Sequence, residues 1–520
     1  MSSPAAAPRA RRLRTAATGA AFALVYLYAF PYFGGLKNAN ELPRVLTTQE
    51  LVERGTFAID ARLGEMGSMF DVATTPDGRH YSNKAPGPSI LAVPVYVVAR
   101  ALAPVCSADL AVSTWLFRIS VATLPALLFL PIFLGVARRF APTATDRPAK
   151  AALCAYGLGS LMLPCALLFM GHAPAAAAVG AAFALAIPLV RGEARRPTLG
   201  MFGVGALAGL AILCDYQAAL GAWVVVLYAL TGAPRRLRGA AALAAGAAPF
   251  AILLLTIHLI CFGAPWTTGY SFSPDVAHRE GFLGIVGPNR PALWRVLLAP
   301  NNGLLVLSPW VLLAGVGGVS IARHAAARAR IGIEAAVAVT ISAGYVLLVG
   351  SLAPEIARGG WSVGPRYLAV ALPFFGWLAA AGLAAVDGQA VGRTLAHTLV
   401  LVGVLVHVIA ATTYPHWPEV FANPLHEVSL RALHEGLAPH SLGTLAGFGG
   451  PFSLAPLYLA AAGLCGALLC DREGRDWAPT LAAASLAAAV VLAGYARLPR
   501  SGPESEEIWR FVRSTWEPIR

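Results

Sequence analysis

The residues able to do chemistry are few and sit at the edges of apolar segments. Glu41 lies just past the first apolar run. Lys84, one of only three lysines, sits in Ser82-Asn83-Lys84-Ala85-Pro86-Gly87, where a second apolar run begins. Arg366 sits in Gly364-Pro365-Arg366-Tyr367, at the mouth of another. A carboxylate partly shielded from water has its proton affinity raised toward neutrality, which suits a general base. Glu41 also reads as a first-turn acid behind an Asn40 N-cap, favouring the helix dipole by about 0.3–1 kcal/mol. A lysine at headgroup depth meets anionic phosphate naturally, and it also reads as a snorkelling helix anchor. Arg366 carries the same two readings, with Gly359 and Gly360 allowing close approach of backbone to a ligand. His172, in Gly-His-Ala-Pro-Ala, is a proton carrier or a helix-end histidine. Asp60, Asp71 and His172 are the other candidate bases, and Tyr81 and Asn83 flank the lysine. The histidines between 416 and 440 are too loosely spaced for a metal motif, so no metal ligands are assigned.

These residues need elements to hold them. Residues 37 to 87 are far more polar than the chain around them, whose mean hydropathy is +0.65 and whose charged fraction is 12%. Within this block, Leu42, Val45, Leu46 and Val52 fall at helical spacing, with Glu41, Arg44, Glu50 and Glu53 on the other side. That pattern predicts an amphipathic helix at the membrane surface, ended by Gly55. Residues 70 to 82 predict a hairpin around Pro76-Asp77-Gly78, which delivers Tyr81, Asn83 and Lys84 to the segment from 84 to 104.

Runs of roughly 20 apolar residues match the ~30 Å hydrocarbon core and recur along all 520 residues. The first run, after Arg9, Arg11, Arg12 and Arg14, is too long for a cleaved leader and reads as a span. The fold class expected is an all-α polytopic membrane protein of about 13 transmembrane helices. The spans fall near 15–36, 111–137, 151–171, 173–191, 199–215, 217–232, 239–262, 303–322, 333–352, 367–386, 394–413, 452–470 and 478–496. Residues 84–104 are then interfacial. On this path one set of loops, called inside, holds twenty basic and seven acidic residues, so the net charge of +13 falls entirely on that face. The charge is topology, and no nucleic-acid partner is needed to explain it. One membrane domain, 1–496, is expected, with its first exoplasmic loop at 37–110. A short exoplasmic tail, 497–520, carries Trp509 and Trp516. The seven cysteines are scattered, mostly in apolar runs, and read as small buried hydrophobes.

The order of first span, exposed acid, helix ending in Glu-Arg-Gly-Thr-Phe (53–57), then Tyr-Ser-Asn-Lys-Ala-Pro-Gly (81–87), resembles the GT-C superfamily of membrane glycosyltransferases. The nearest branches are the protein O-mannosyltransferase-like and lipid A aminoarabinose transferases. Leu-Leu-Ala-Pro-Asn-Asn-Gly-Leu-Leu-Val-Leu-Ser-Pro-Trp (297–310) and Gly-Gly-Trp-Ser-Val-Gly-Pro-Arg-Tyr (359–367) resemble segments of bacterial members. The resemblance implies a GT-C-like bundle and transfer of a sugar from a polyprenyl-phosphate donor to an acceptor hydroxyl on the exoplasmic face of the cell membrane. The family's Asp-Glu pair in the first loop matches Asn40-Glu41, leaving Glu41 as the ionisable member and the implied base. Lys84 matches the lysine facing the carrier phosphate, Arg366 is taken as its helper, and Asn83 stands where aminoarabinose transferases carry an acid. The implied partners are a polyprenyl-phosphate-linked sugar, membrane lipids and an acceptor glycan, lipid or protein; a divalent metal is left open. The competing class is a transporter or flippase of lipid-linked saccharides. That class would show ionisable residues within several spans and an internal repeat, and the spans here are nearly free of charge. A non-catalytic assembly scaffold is the third class.

Overall fold

The computed structural model describes residues 6–33, 38–66, 69–103, 109–232, 236–357, 359–470 and 477–516. Residues 233–235 and 471–476, which enter the charge count, and Cys106 lie outside the described residues.

In hydrocarbon a single chain segment satisfies every main-chain N–H and C=O only as an α-helix. Among the described residues, nine helices are long and apolar enough to cross a membrane: Leu110–Phe140, His172–Val190, Pro197–Cys214, Arg236–Phe262, Ala325–Val349, Arg366–Val386, Ala390–Thr412, Gly450–Leu469 and Trp477–Tyr495. Shorter apolar helices, Thr15–Leu27, Ala218–Thr231 and Pro309–Arg323, occupy three more of the expected spans. The remaining one, 151–171, is not continuous. It forms helices Arg147–Gly157 and Met162–Ala166 with a break between them, and residues 151–171 are buried throughout. Broken backbone is tolerated at this depth only where its polar atoms find partners. Tyr26 Oη donates to the Gly157 carbonyl at 2.6 Å, and Trp310 Nε1 donates to the Gly159 carbonyl at 2.6 Å.

Contacts separate the two ends of the bundle. At one end Arg138 pairs with Asp146, Arg139 with Glu193, Arg147 with Asp387 and Arg191 with Glu334, at 2.5–2.9 Å. All of these residues were assigned to inside loops or, for Glu334, to the inside end of a span. At the other end Asn38 meets His416 (2.5 Å), Asn83 meets Ser273 (3.4 Å) and Arg295 donates to the Pro354 carbonyl (2.7 Å).

The first loop contains the helix Leu42–Glu53, the strands Val72–Thr74 and His80–Ser82, and the helix Gly87–Ala101. The strands pair antiparallel, Val72 with Ser82 and Thr74 with His80, around a turn in which Gly78 takes a φ of 81°. Gly87–Ala101, at 15 residues, is about 22 Å long, similar to the shorter apolar helices Ala218–Thr231 and Pro309–Arg323. One expectation changes. The Leu42–Glu53 helix is not a surface helix, because residues 42–50 are all buried, polar side included. That side has partners: Thr48 Oγ1 donates to Ser89 O, Ser89 Oγ donates to Arg44 O, and Glu50 accepts from Arg54 and Arg62. The tail supplies the helix Glu504–Ser514, whose Trp509 and Val512 pack in a cluster with Phe33, Tyr414 and Trp417.

Candidate functional site

At the end of the bundle that carries the first loop, charged side chains are buried together. Asp71 precedes the first strand of the hairpin and Lys84 follows the second, so strand pairing brings them to 2.6 Å. Lys84 Nζ also stands 5.1 Å from the centroid of the Tyr270 ring. Gly269 makes that approach feasible, since a Cβ there would lie 2.6 Å from Asn83 Cα. Arg44, on the buried face of Leu42–Glu53, and Arg366, at the start of its span, are 4% and 7% exposed. Asp71 acts electrostatically on Arg44, Arg366, Tyr270 and His278 alike, which places these groups around one centre.

The charge at this centre does not balance locally. Lys84 is paired with Asp71, and Asp215 accepts from His172 Nδ1 at 2.7 Å. Neither Arg44 nor Arg366 has a carboxylate within ion-pairing distance among the described residues. Arg44 Nη1 is held by Asn40, through its backbone carbonyl at 2.5 Å and its side-chain oxygen, while Arg366 stacks on the Tyr367 ring, 5.4 Å from its centroid. The Nε atoms of both arginines and Asn83 Oδ1 are buried without a hydrogen-bond partner. Leaving a buried cation unpaired is costly, so two such guanidiniums beside a lysine make a site complementary to an anion. Burial pushes the Arg44 guanidinium below its ordinary pKa, with Tyr270, Asp71 and Asp215 acting against that fall. Burial, then the Lys84 charge, press the His278 imidazole down to about 4, leaving it neutral near pH 7.

His172 and Asp215 meet through a close approach of main chains: a Cβ on Gly171 would lie 1.9 Å from the Cys214 carbonyl oxygen, so only glycine fits there. Their hydrogen bond leaves Nε2 as the second imidazole nitrogen, and the His172 ring lies edge-on to Tyr367 at 6.0 Å. Arg44 and Arg366 both act on this histidine. It therefore belongs to the same cluster.

Glu41 is placed differently. Both of its oxygens are gripped by Arg118, from Nε and Nη2 at 2.7 Å each, and Oε1 also accepts the Phe169 N–H at 2.6 Å. His416 Nε2 lies 3.8 Å away. Burial raises the carboxyl's proton affinity, as the sequence reading expected. The Arg118 charge and hydrogen bonds, with His416 and the Phe169 N–H, outweigh that and hold the pKa below the ordinary value. This small chamber, lined also by Tyr32, Phe33, Asn38 and Thr114, adjoins the Lys84 centre, since the Arg366 charge acts on His416 as well. Asn40 is not the expected N-cap either. Asn38 Oδ1 accepts the N–H groups of residues 40 and 41, which frees the Asn40 side chain for Arg44.

Of the remaining sequence candidates, Asp60 pairs with His80 at 2.8 Å on the exposed side of the hairpin, away from the cluster. Tyr81 packs with Ile257 and Cys261 and meets Phe262 edge-on. Asn83 reaches Ser273. Arg44, Arg118, Asp215, Tyr270 and His278 were not singled out from sequence. Arg118 carried a signal, being the one charge between Leu110 and Ala137 in an apolar run. Among the described residues no group of three or more His, Cys, Asp or Glu side chains is gathered in a way that could hold a metal ion.

No family model matches the chain, and no curated protein matches it. Among solved structures it is similar to ArnT from Cupriavidus metallidurans in the apo state, with a TM-score of 0.48 and 16% identity, covering 93% of this chain and 76% of that one. It is also similar to ArnT from the same organism bound to undecaprenyl phosphate, with a TM-score of 0.45 and 16% identity over 92% and 76%.

Proposed function

We propose that the protein is a membrane glycosyltransferase that takes a sugar from a polyprenyl-phosphate donor and transfers it to an acceptor hydroxyl at the exoplasmic face. The observation that carries this reading is the buried trio Arg44, Lys84 and Arg366, with two guanidiniums lacking carboxylate partners among the described residues. A phosphate that carries a greasy tail is the anion such a place suits. The resemblance of residues 53–57, 81–87 and 359–367 to GT-C enzymes points the same way. The charge bias of the opposite loops supports an exoplasmic site.

In the reaction the acceptor oxygen attacks the anomeric carbon, the bond from that carbon to the phosphate oxygen breaks, and the electron pair leaves on the phosphate. Lys84, Arg366 and Arg44 stabilise that developing charge. The acceptor proton needs a base. Glu41, saturated by Arg118, is poorly disposed for the role, whereas His172 keeps Nε2 to receive a proton while Asp215 orients the ring and stabilises the imidazolium. We assign the proton to His172 with Asp215, and a structural role to Glu41.

The test uses purified full-length protein, polyprenyl-phosphate sugars labelled in the sugar, and envelope fractions as acceptor. A transferase consumes the donor and labels the acceptor. A flippase moves intact donor across a vesicle without consuming it, and a scaffold does neither.

A further inference from the structure

Two motifs singled out in the sequence, residues 297–310 and 359–367, contribute more than Arg366. They also meet around a second cavity of about 130 Å³, lined by Arg295, Asn301, Asn302, Gly360, Ser362 and the Trp417-Pro418-Glu419 turn. At roughly 10–15 Å³ per water it holds several waters, so it is a built space and not a packing defect. We propose that this cavity is the acceptor subsite and that it binds a neutral saccharide unit through its hydroxyls; the word acceptor rests on the transferase reading above.

The chemistry of the walls selects the ligand. Asn302 lines the space and is 7% exposed, and its Nδ2 is a buried donor without a hydrogen-bond partner. Asn301 adds a second amide, which donates and accepts, and Ser362 a hydroxyl that donates to the Gly364 carbonyl at 3.0 Å and keeps an oxygen able to accept. One arginine and one glutamate line the space, so the formal charge of the lining is zero and a neutral ligand fits better than an anion. At about 130 Å³ the space is too small for an acyl or prenyl tail.

Position agrees with chemistry. Gly360 lies between this cavity and the phosphate centre: a Cβ built on it would be 3.5 Å from Arg366 Nη2. At φ +65° the residue is in the region that favours glycine, so the thin wall is built into the backbone. A saccharide in the cavity is one glycine away from the guanidinium assigned to the donor phosphate.

The experiment titrates detergent-solubilised full-length protein with methyl pyranosides of glucose, mannose, galactose and arabinose, read by saturation-transfer NMR. Undecaprenyl phosphate binding is measured on the same samples. Asn302→Ala and the rim variant Asn301→Ala, each checked for wild-type thermal unfolding, are compared with wild type. The expected result is binding of at least one glycoside, weakened about tenfold or more by Asn302→Ala and less by Asn301→Ala, with undecaprenyl phosphate affinity unchanged. Absence of glycoside binding to wild type, equal binding to well-folded variants, or full displacement of the glycoside by inorganic phosphate would overturn the proposal, whether or not undecaprenyl phosphate binds. If glycoside binding depends on Asn302 but undecaprenyl phosphate does not bind, the saccharide site stands and the transferase reading falls.

Discussion

Lys84 and Asp71 form a buried ion pair at 2.6 Å because a hairpin of three-residue strands closes between them. The pair is part of an unbalanced cluster, and on the proposed reading Lys84 serves both Asp71 and a donor phosphate. Lys84→Ala should weaken undecaprenyl phosphate binding about 10- to 100-fold, the size of one or two charge-assisted hydrogen bonds, and Lys84→Arg should retain part of it. The same alanine strands Asp71, so the comparison belongs in an Asp71→Asn background. Equal affinity with lysine, arginine and alanine at position 84 would reduce Lys84 to the counter-ion of Asp71.

Arg366 has no carboxylate partner among the described residues, and in the empty protein its burial is a cost. Arg366→Met should therefore leave the melting temperature equal to or above that of wild type, while undecaprenyl phosphate binding is largely lost. In wild type, a 100-fold excess of ligand over Kd should stabilise the protein by about 2.7 kcal/mol, and in Arg366→Met the ligand should not shift melting. A variant that melts lower and still binds would show that the guanidinium holds structure and not ligand.

How much of this was legible in the sequence depends on distance along the chain. The hairpin was readable because Pro76-Asp77-Gly78 and the flanking β-favouring residues are local, and so was the helix end at Gly55. The spans were readable from apolar runs and charge, except that nothing in 151–171 announces a break whose carbonyls are served by Tyr26 and Trp310, residues far away in sequence. Lys84 and Arg366 were found because they stand at segment edges. Arg44 was not, since helical spacing put it on a polar face that was expected to meet water and instead meets Asn40 and the cluster. Glu41 was found, but its surroundings were not. Its partner Arg118 is 77 residues away, in a π-helical stretch of a span, and it reverses the direction in which burial alone would move the carboxyl.

Sidedness can be read with single cysteines. The described native cysteines are buried, apart from half-buried Cys470, so Thr145→Cys and Thr74→Cys should each give labelling above background. An impermeant maleimide applied from outside should reach position 74 and not position 145. Labelling of position 145 from outside alone would sink the thirteen-span path and the interfacial placement of residues 84–104.

Glu41 and His172 make opposite predictions in one pair of assays. Glu41 is the buried partner of a buried arginine, and Glu41→Gln leaves Arg118 without its counter-charge, a loss on the order of 3–5 kcal/mol for such pairs. The variant should melt well below wild type while the fraction that is folded turns over near normally. Its pH signature has a fixed sign: a carboxyl held below its unfolded value of about 4.5 stabilises the fold above that pH and loses this contribution as pH falls through the lower folded value. Wild-type stability should therefore drop more steeply below pH 4.5 than that of Glu41→Gln. For His172 the effect should be on rate. His172→Gln and Asp215→Asn should lower sugar transfer by roughly 10²- to 10⁴-fold with undecaprenyl phosphate affinity little changed, the range expected for loss of a general base. The Asp215→Asn loss should persist at alkaline pH, because the imidazole is already neutral before the step and Asp215 acts on the imidazolium formed in it. The opposite pattern, a stable Glu41→Gln that binds donor but no longer transfers and a His172→Gln that transfers normally, would return the base to Glu41 and leave the His172–Asp215 bond as a brace between two span ends.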